Sequence, residues 1–211
     1  MSEETQPLEF FVNQGLLFAF PDFLTAAEIQ NLHPLLAQQR TAKAPVVSQI
    51  GPFQHRQYDR KTAQIEVTDD LRHLISDRMI ALRAMFEVFF QVQLNGLEPP
   101  SFLKYLPGDY FKPHRDWQPE FANHPGLSHL PPRQISTIVL LSHAVAQPRQ
   151  RDQYSGGELV FYLPTEALGH KLIGLPLLPP CGTLIAFRSD LMHEVKAVLG
   201  GQRISVVAWL F

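Results

Sequence analysis

With 211 residues, 45% of them hydrophobic, the chain holds enough apolar material for one large domain or two small ones and excludes global disorder. A net charge of −2 and a sequence pI near 6.5 exclude non-specific phosphate binding as the main activity, because no general basic field exists. The single cysteine, Cys181, excludes an internal disulfide and fits a reducing compartment; with no leader pattern at Met1 to Pro7 and no apolar run of membrane-spanning length, the expectation is a cytoplasmic, soluble protein.

In chain order, the apolar and aromatic run from Phe10 to Phe20 predicts a strand. Thr25-Ala-Ala-Glu28 is a capping box and predicts a helix from Thr25, with Ile29, Leu32, Leu35 and Leu36 at helical spacing and Pro34 limiting or kinking it. Residues 41–66 are polar and read as irregular. A second helix starts near Thr68 or Asp69 and ends before Asn95-Gly96. Its apolar stripe takes in Leu71, Leu74, Ile75, Met79, Leu82, Met85, Phe86 and Phe89, and packs the helix on a sheet.

From Pro99 the texture changes to short apolar runs broken by Gly, Pro and Asp, at 102–106, 110–114, 135–141, 158–163, 183–187, 193–198 and 203–211. This predicts an all-β sandwich or barrel with the helices on one outer face, an α+β but mainly β class. Residues 1–98 read as a support region and 99–211 as the core of a single domain. Two polar insertions, Trp117 to Arg133 and Ser142 to Gly156, have the length of functional loops.

The chemistry centres on Tyr105-Leu-Pro-Gly-Asp-Tyr-Phe-Lys-Pro-His-Arg-Asp116. On a strand, His114 and Asp116 share one face and Arg115 takes the other. A neutral imidazole and a carboxylate are two of the three ligands of a facial metal triad. His193, in the later run that begins at Gly182, is the candidate third. The same residue types also suit zinc.

Ten residues past His193 comes Arg203. In a strand Arg203, Ser205, Val207 and Trp209 share one face, and Ile204, Val206, Ala208 and Leu210 the other. Both faces are largely apolar, so the strand is expected to be covered twice, and an inward arginine then needs an anion. A dicarboxylate such as 2-oxoglutarate is one candidate: its keto acid end can chelate iron and its far carboxylate can meet Arg203, with Ser205 as second donor and Tyr105 as third. The other reading of these residues is a solvated arginine at a strand end.

Five motifs stand in order: Tyr105-x-x-Gly108-Asp109-x-x-x-x-His114-x-Asp116, then Gly156-Gly157-Glu158-Leu159-x-Phe161, then Pro180-x-Gly182-Thr183-Leu184-x-x-Phe187, then His193-Glu194-Val195, then Gly201-x-Arg203-x-Ser205-x-x-x-Trp209. Together they resemble the Fe(II)/2-oxoglutarate-dependent dioxygenases of the prolyl 4-hydroxylase type. The resemblance implies a double-stranded β-helix (jelly-roll) core, iron on His114, Asp116 and His193, and 2-oxoglutarate on Arg203, with Tyr105 and Ser205 beside it. It implies O2 as oxidant, ascorbate as a reductant, and hydroxylation of an unactivated C–H bond with release of succinate and CO2. The implied substrate is a protein or peptide residue, prolyl first, with a free amino acid or small metabolite as the alternative.

Asp116 keeps the carboxylate that halogenases of this kind lack. Trp209 stands where nucleic-acid demethylases carry a second arginine, which speaks against nucleic acid as partner. Collagen-type enzymes use a lysine where Arg203 stands. A cupin-like isomerase or a zinc hydrolase on the same fold are rivals, and Arg203 is what separates them; a non-catalytic sensing module is a third, with all three candidate ligands and Arg203 intact. His124, His129 and His143 read as solvated or structural, Cys181 as inert, Arg149, Arg151 and Asp152 as a solvated loop, and Trp117 as a candidate for the cavity mouth.

Overall fold

The period-two runs after Pro99 close into two facing antiparallel sheets. The computed structural model describes residues 6–44, 59–122, 131–165 and 171–211. The N-terminal elements are α1 (Gln6–Asn13), β1 (Leu17–Phe20), α2 (Ala26–Gln38), β2 (Thr41–Lys43), β3 (Arg60–Lys61), β4 (Ala63–Ile65), α3 (Asp69–Ala81) and α4 (Arg83–Phe90). Then follow β5 (Ser101–Tyr105), β6 (Tyr110–His114), α5 (Pro119–Ala122), β7 (Ile135–Leu140), β8 (His143–Ala144), β9 (Gln153–Gly156) and β10 (Leu159–Thr165). The chain ends with β11 (Lys171–Leu177), β12 (Leu184–Arg188), β13 (His193–Val195), β14 (Val198–Gly201) and β15 (Arg203–Leu210). None of the described helices is long and apolar enough to cross a membrane.

A seven-stranded sheet runs β1-β12-β7-β15-β5-β4-β2, and a five-stranded sheet runs β11-β10-β13-β6-β3. A three-stranded sheet, β14-β9-β8, closes one end. This is the expected mainly β architecture, a double-stranded β-helix with helices added.

Alternation along β15 divides the interior in two. Ile204, Val206, Ala208 and Leu210 pack with Ile29, Ile75, Met79 and Phe86 of the helices. Residues of the opposite sheet face, such as Leu103, Ile138 and Phe187, pack with Leu159, Phe161 and Val195 of the five-stranded sheet. The helices are tied down at their caps and by one arginine. Thr25 and Glu28 form the predicted capping box, and Arg78 donates to both Glu28 oxygens and, at 3.0 Å, to the Phe23 carbonyl. Gly182 turns with φ +85° where a Cβ would lie 2.3 Å from the Leu24 carbonyl oxygen; only glycine lets the chain pass there.

Several expectations are corrected. Of the run Phe10 to Phe20, only Leu17–Phe20 is strand; the first part is α1, whose buried Phe11 meets Phe161 at 5.6 Å. Pro34 does not end α2: the carbonyl that loses its amide donor belongs to Gln30, an exposed residue. The stretch 41–66 is not irregular throughout, since β2, β3 and β4 add to the sheets; residues 45–58 lie outside the described residues. The second helix is two, joined at Leu82, and it stops at Phe90, where Gln91 adopts φ 53°. Asn95 and Gly96 instead bond to the Phe211 carbonyl. The runs of β8, β9, β11 and β14 carry no clear strand pattern, being short or interrupted by Gly and Pro.

On the stripe of α4, Phe86 is fully buried and meets Phe18 edge-on at 5.3 Å, whereas Met85 is 46% exposed. Phe86→Ala is expected to cost about 3–5 kcal/mol in urea unfolding, and Met85→Ala about 0.5 kcal/mol or less. The Arg78 hydrogen bonds, followed by those from Thr25, hold the Glu28 carboxyl down from 4.5 to about 2. A depressed carboxyl stabilises the fold above its ordinary range, and that contribution is lost as pH falls toward 2. Glu28→Gln should therefore flatten the acid limb of a pH series of thermal midpoints.

Candidate active site

Strand pairing brings the candidate ligands together. His193 opens β13 and stands directly opposite His114 at the end of β6. The two rings lie with centroids 4.2 Å apart, His193 3% and His114 8% exposed. Each ring is anchored at its rear nitrogen: His114 Nδ1 to the Lys112 carbonyl at 2.8 Å, and His193 Nδ1 to the Leu191 carbonyl at 2.9 Å. A carbonyl only accepts, so both Nδ1 atoms carry the proton and both Nε2 lone pairs face forward. His114 Nε2 lies 3.6 Å from Asp116 Oδ1, and His193 Nε2 lies 3.7 Å from Asp116 Oδ2. The three donor atoms all fall within 4.8 Å of one another, and this is the metal-competent cluster found among the described residues.

Asp116 arrives by a different route from the one predicted. The strand stops at His114, and Asp116 lies in a bend whose backbone N–H donates to the Ser189 carbonyl at 2.9 Å. Ser136 Oγ donates to Asp116 Oδ2 at 2.7 Å and is 2.9 Å from Ser189 Oγ. Burial works to raise the Asp116 carboxyl, but the His193 and His114 rings and the Ser136 hydroxyl outweigh it and hold it well below the usual carboxylate range. Burial, together with His114, pushes the His193 imidazole down to about 4 against the pull of Asp116. One carboxylate and two imidazoles, each anchored through Nδ1, therefore converge, the donor set of a facial triad. Aromatic rings wall it in: Phe111 stacks on His114 at 3.5 Å, and Phe187 meets His193 edge-on at 4.8 Å.

A cavity of 290 Å³ opens from this cluster and runs along β15 past Val207 to Ser205 and Arg203. Arg203 is 1% exposed. Its Nη1 donates to Ser205 Oγ at 3.1 Å, while Nε and Nη2 are buried with no hydrogen-bond partner. Tyr105 faces it across β5, the guanidinium carbon 5.3 Å from the ring centroid. A buried guanidinium with unused donors at the end of a cavity fits one carboxylate of a dicarboxylate. Ser205 holds the arginine, and Tyr105 presents its ring to it.

Other side chains depart from expectation. Arg115 does not turn away; because the strand has ended, it stands exposed at the cavity rim. Trp117 packs edge-on against Phe121 at 5.7 Å, and Phe121, not Trp117, lines the cavity. Trp209 also lines the cavity, with the Arg133 guanidinium 3.8 Å above its ring and Arg133 Nη2 paired to Glu98 at 2.7 Å. Neither residue of that pair, nor Ser136, carried a sequence signal, because each acts across a long sequence separation. His143, Arg149 and Arg151 are exposed as expected, and burial pushes the Cys181 thiol up to about 12, which leaves it inert. His124 and His129 lie outside the described residues.

A jelly roll with two histidines and a carboxylate at one end of its cavity and a buried arginine at the other defines a non-haem metal-dependent oxygenase class. A profile of the 2OG-Fe(II) oxygenase superfamily matches residues 100–211, just over half of the chain, and the protein belongs to that family. It is an Fe(II)- and 2-oxoglutarate-dependent dioxygenase, with Fe(II), 2-oxoglutarate and O2 as its metal, co-substrate and oxidant. A PKHD-type hydroxylase of Shewanella baltica is 24% identical over 195 residues, covering 92% of this chain and 78% of the relative. A Pseudomonas putida prolyl-4-hydroxylase shares the fold at TM-score 0.67 and 19% identity, over 95% of both chains. A Trichoplax adhaerens prolyl hydroxylase, solved with a peptide fragment of hypoxia inducible factor, does so at TM-score 0.63 and 15% identity, over 98% of this chain and 88% of that one.

Ser136→Ala removes the hydroxyl that orients Asp116 and is expected to weaken Mn(II) or Fe(II) binding about 10- to 100-fold by calorimetry. Cys181→Ser should leave metal affinity unchanged.

Proposed function

We propose that the protein hydroxylates an unactivated C–H bond of a protein or peptide residue, prolyl in type, and that residues 1–211 work as one domain, 1–98 supporting a catalytic core at 99–211. The observation that carries this reading is the pairing of the triad with Arg203 in one cavity: forward-facing nitrogen lone pairs at one end, unused guanidinium donors at the other. The hydroxylase and prolyl hydroxylase names of the relatives support the choice of reaction and substrate. A cytoplasmic setting, ascorbate as reductant and the absence of a nucleic-acid partner belong to the same reading.

In it, His114, Asp116 and His193 hold Fe(II), and Arg203, Ser205 and Tyr105 receive 2-oxoglutarate. Bound there, the iron and its co-substrate supply the oxidising chemistry for C–H hydroxylation, with succinate and CO2 as by-products. The chain does the positioning. The Lys112 and Leu191 carbonyls lock the two imidazoles in the ligating tautomer, Ser136 and the Ser189 backbone carbonyl fix the carboxylate, and Phe111 and Phe187 shield the histidines from water. Arg203 fixes the reach of the co-substrate through a charge-assisted fork.

Anaerobic addition of Fe(II) and then 2-oxoglutarate should produce the weak visible charge-transfer band of a chelated 2-oxo acid, lost in His114→Ala, Asp116→Ala or His193→Ala. Arg203→Ala should raise the 2-oxoglutarate requirement about a hundredfold while sparing iron affinity. With O2 and proline-containing peptides, succinate should form and a peptide should gain the mass of one oxygen atom. Product formation only with free amino acids or small metabolites would move the substrate to that class, and iron binding without a band would sink the co-substrate assignment.

A further inference from the structure

Tyr154, on β9, is fully buried, and its hydroxyl makes no hydrogen bond among the described residues. It lies against Arg203, whose Nε and Nη2 are in the same condition. Gly157 marks how closely the two fit: with φ +65°, a Cβ there would sit 3.1 Å from Arg203 Cδ and 3.3 Å from Tyr154 Cε2. Burial pushes the Tyr154 hydroxyl above its ordinary range, and the guanidinium beside it opposes that rise. The backbone holds the ring in place from both sides. β9 pairs with β14 through Gly201 and with β8 through Ala144, and the Val145 N–H donates to the Tyr154 carbonyl at 2.8 Å.

Buried polar groups without partners are rare, and several at one point indicate an absent ligand. A guanidinium has five N–H donors in a fixed fork. Nη1 is engaged by Ser205, and a carboxylate takes a parallel pair of the others. A donor is left on the side away from the ligand, and the Tyr154 oxygen is the acceptor within reach. Tyr154 is not part of the cavity wall, so it acts through the arginine and not on the ligand itself.

We propose that Tyr154 is a positioning residue of the co-substrate seat, which orients the Arg203 guanidinium for the distal carboxylate of a 2-oxo dicarboxylate. The inference rests on the 2-oxoglutarate reading of Arg203. It assigns discrimination between dicarboxylate and monocarboxylate 2-oxo acids to the tyrosine as well as to the arginine. In the free protein the hydroxyl stabilises nothing, so its removal costs no stability; its effect appears only when a carboxylate arrives.

Tyr154→Phe deletes the hydroxyl and keeps the ring. The Fe(II)-loaded wild-type and variant proteins are titrated without oxygen with 2-oxoglutarate and with 2-oxobutyrate, which lacks the distal carboxylate. The expected result is about tenfold weaker binding of 2-oxoglutarate by the variant, with 2-oxobutyrate binding unchanged. The metal-free variant should unfold at the wild-type temperature or above it. Equal weakening for both acids, or no weakening for either, would overturn the role of Tyr154 while leaving the co-substrate reading in place. Failure of the wild-type protein to bind 2-oxoglutarate would overturn that reading and, with it, this one.

Discussion

Strand β15 is covered on both faces, and that double burial constrains the rest of the molecule. One face supplies Ile204, Val206, Ala208 and Leu210 to the core beneath the helices; the other supplies Arg203, Ser205, Val207 and Trp209 to the cavity. A slip of one residue would exchange the two rows, placing a guanidinium among Ile75, Met79 and Phe86 and an isoleucine where an anion is to bind. The register with β5 and β7 therefore protects the core and the site together. Tyr105 faces Arg203 on one side, and Leu140 faces Ser205 on the other. The helices contribute to chemistry in this indirect sense: by giving the apolar row a place to go, they make the polar row point inward.

The metal cluster is built on the opposite sheet with comparable economy of parts. Two histidines meet because β6 and β13 pair at their ends, and each ring is pinned by a carbonyl two residues before it. The carboxylate comes from the first residues beyond the strand, where the chain has left the pleat and is free to bend. That freedom would be a liability if nothing held it. Ser189 holds its backbone and Ser136 its side chain, and Ser136 sits on β7 opposite Trp209 of β15. The seven-stranded sheet thus braces a ligand that belongs, by sequence, to the five-stranded one. This contact joins the two sheets at the candidate metal cluster.

Much of this was legible in the sequence, and the reason differs from element to element. His114, His193 and Arg203 could be read because each sits in a short strand whose alternation assigns it a face, and because their order along the chain matches a family. The capping box at Thr25 and the start at Thr68 could be read because caps are local chemistry. The helix at Gln6–Asn13 could not, since a short apolar run has no period by which to tell helix from strand, and tertiary packing of Phe11 decided it. For Asp116 the two-residue spacing from His114 suggests a shared strand face, but the strand ends between the two residues. The Glu98–Arg133 pair on Trp209, the Ser136 brace and Tyr154 were invisible for one reason. Each joins segments far apart in the chain, and only strand register brings them together.

Arg203 and Tyr154 place unpartnered buried polar atoms side by side. The described core is otherwise well satisfied: Thr137 reaches the Ala208 carbonyl at 2.9 Å, and Ser142 accepts from the Ile204 N–H at 3.0 Å. Yet the cavity end carries a buried guanidinium with two donor nitrogens idle, and a buried phenol outside the cavity wall lies against it with no hydrogen-bond partner. Each such group destabilises the free protein by the cost of its desolvation. A sequence selected for stability alone would fill this position with an apolar side chain, as it did for the neighbouring Ile204 and Val206. Keeping the charge makes sense only if its partner arrives from outside. The same reasoning separates this site from a zinc hydrolase on the same fold, which needs the triad but has no use for an unfilled anion seat along the strand from it.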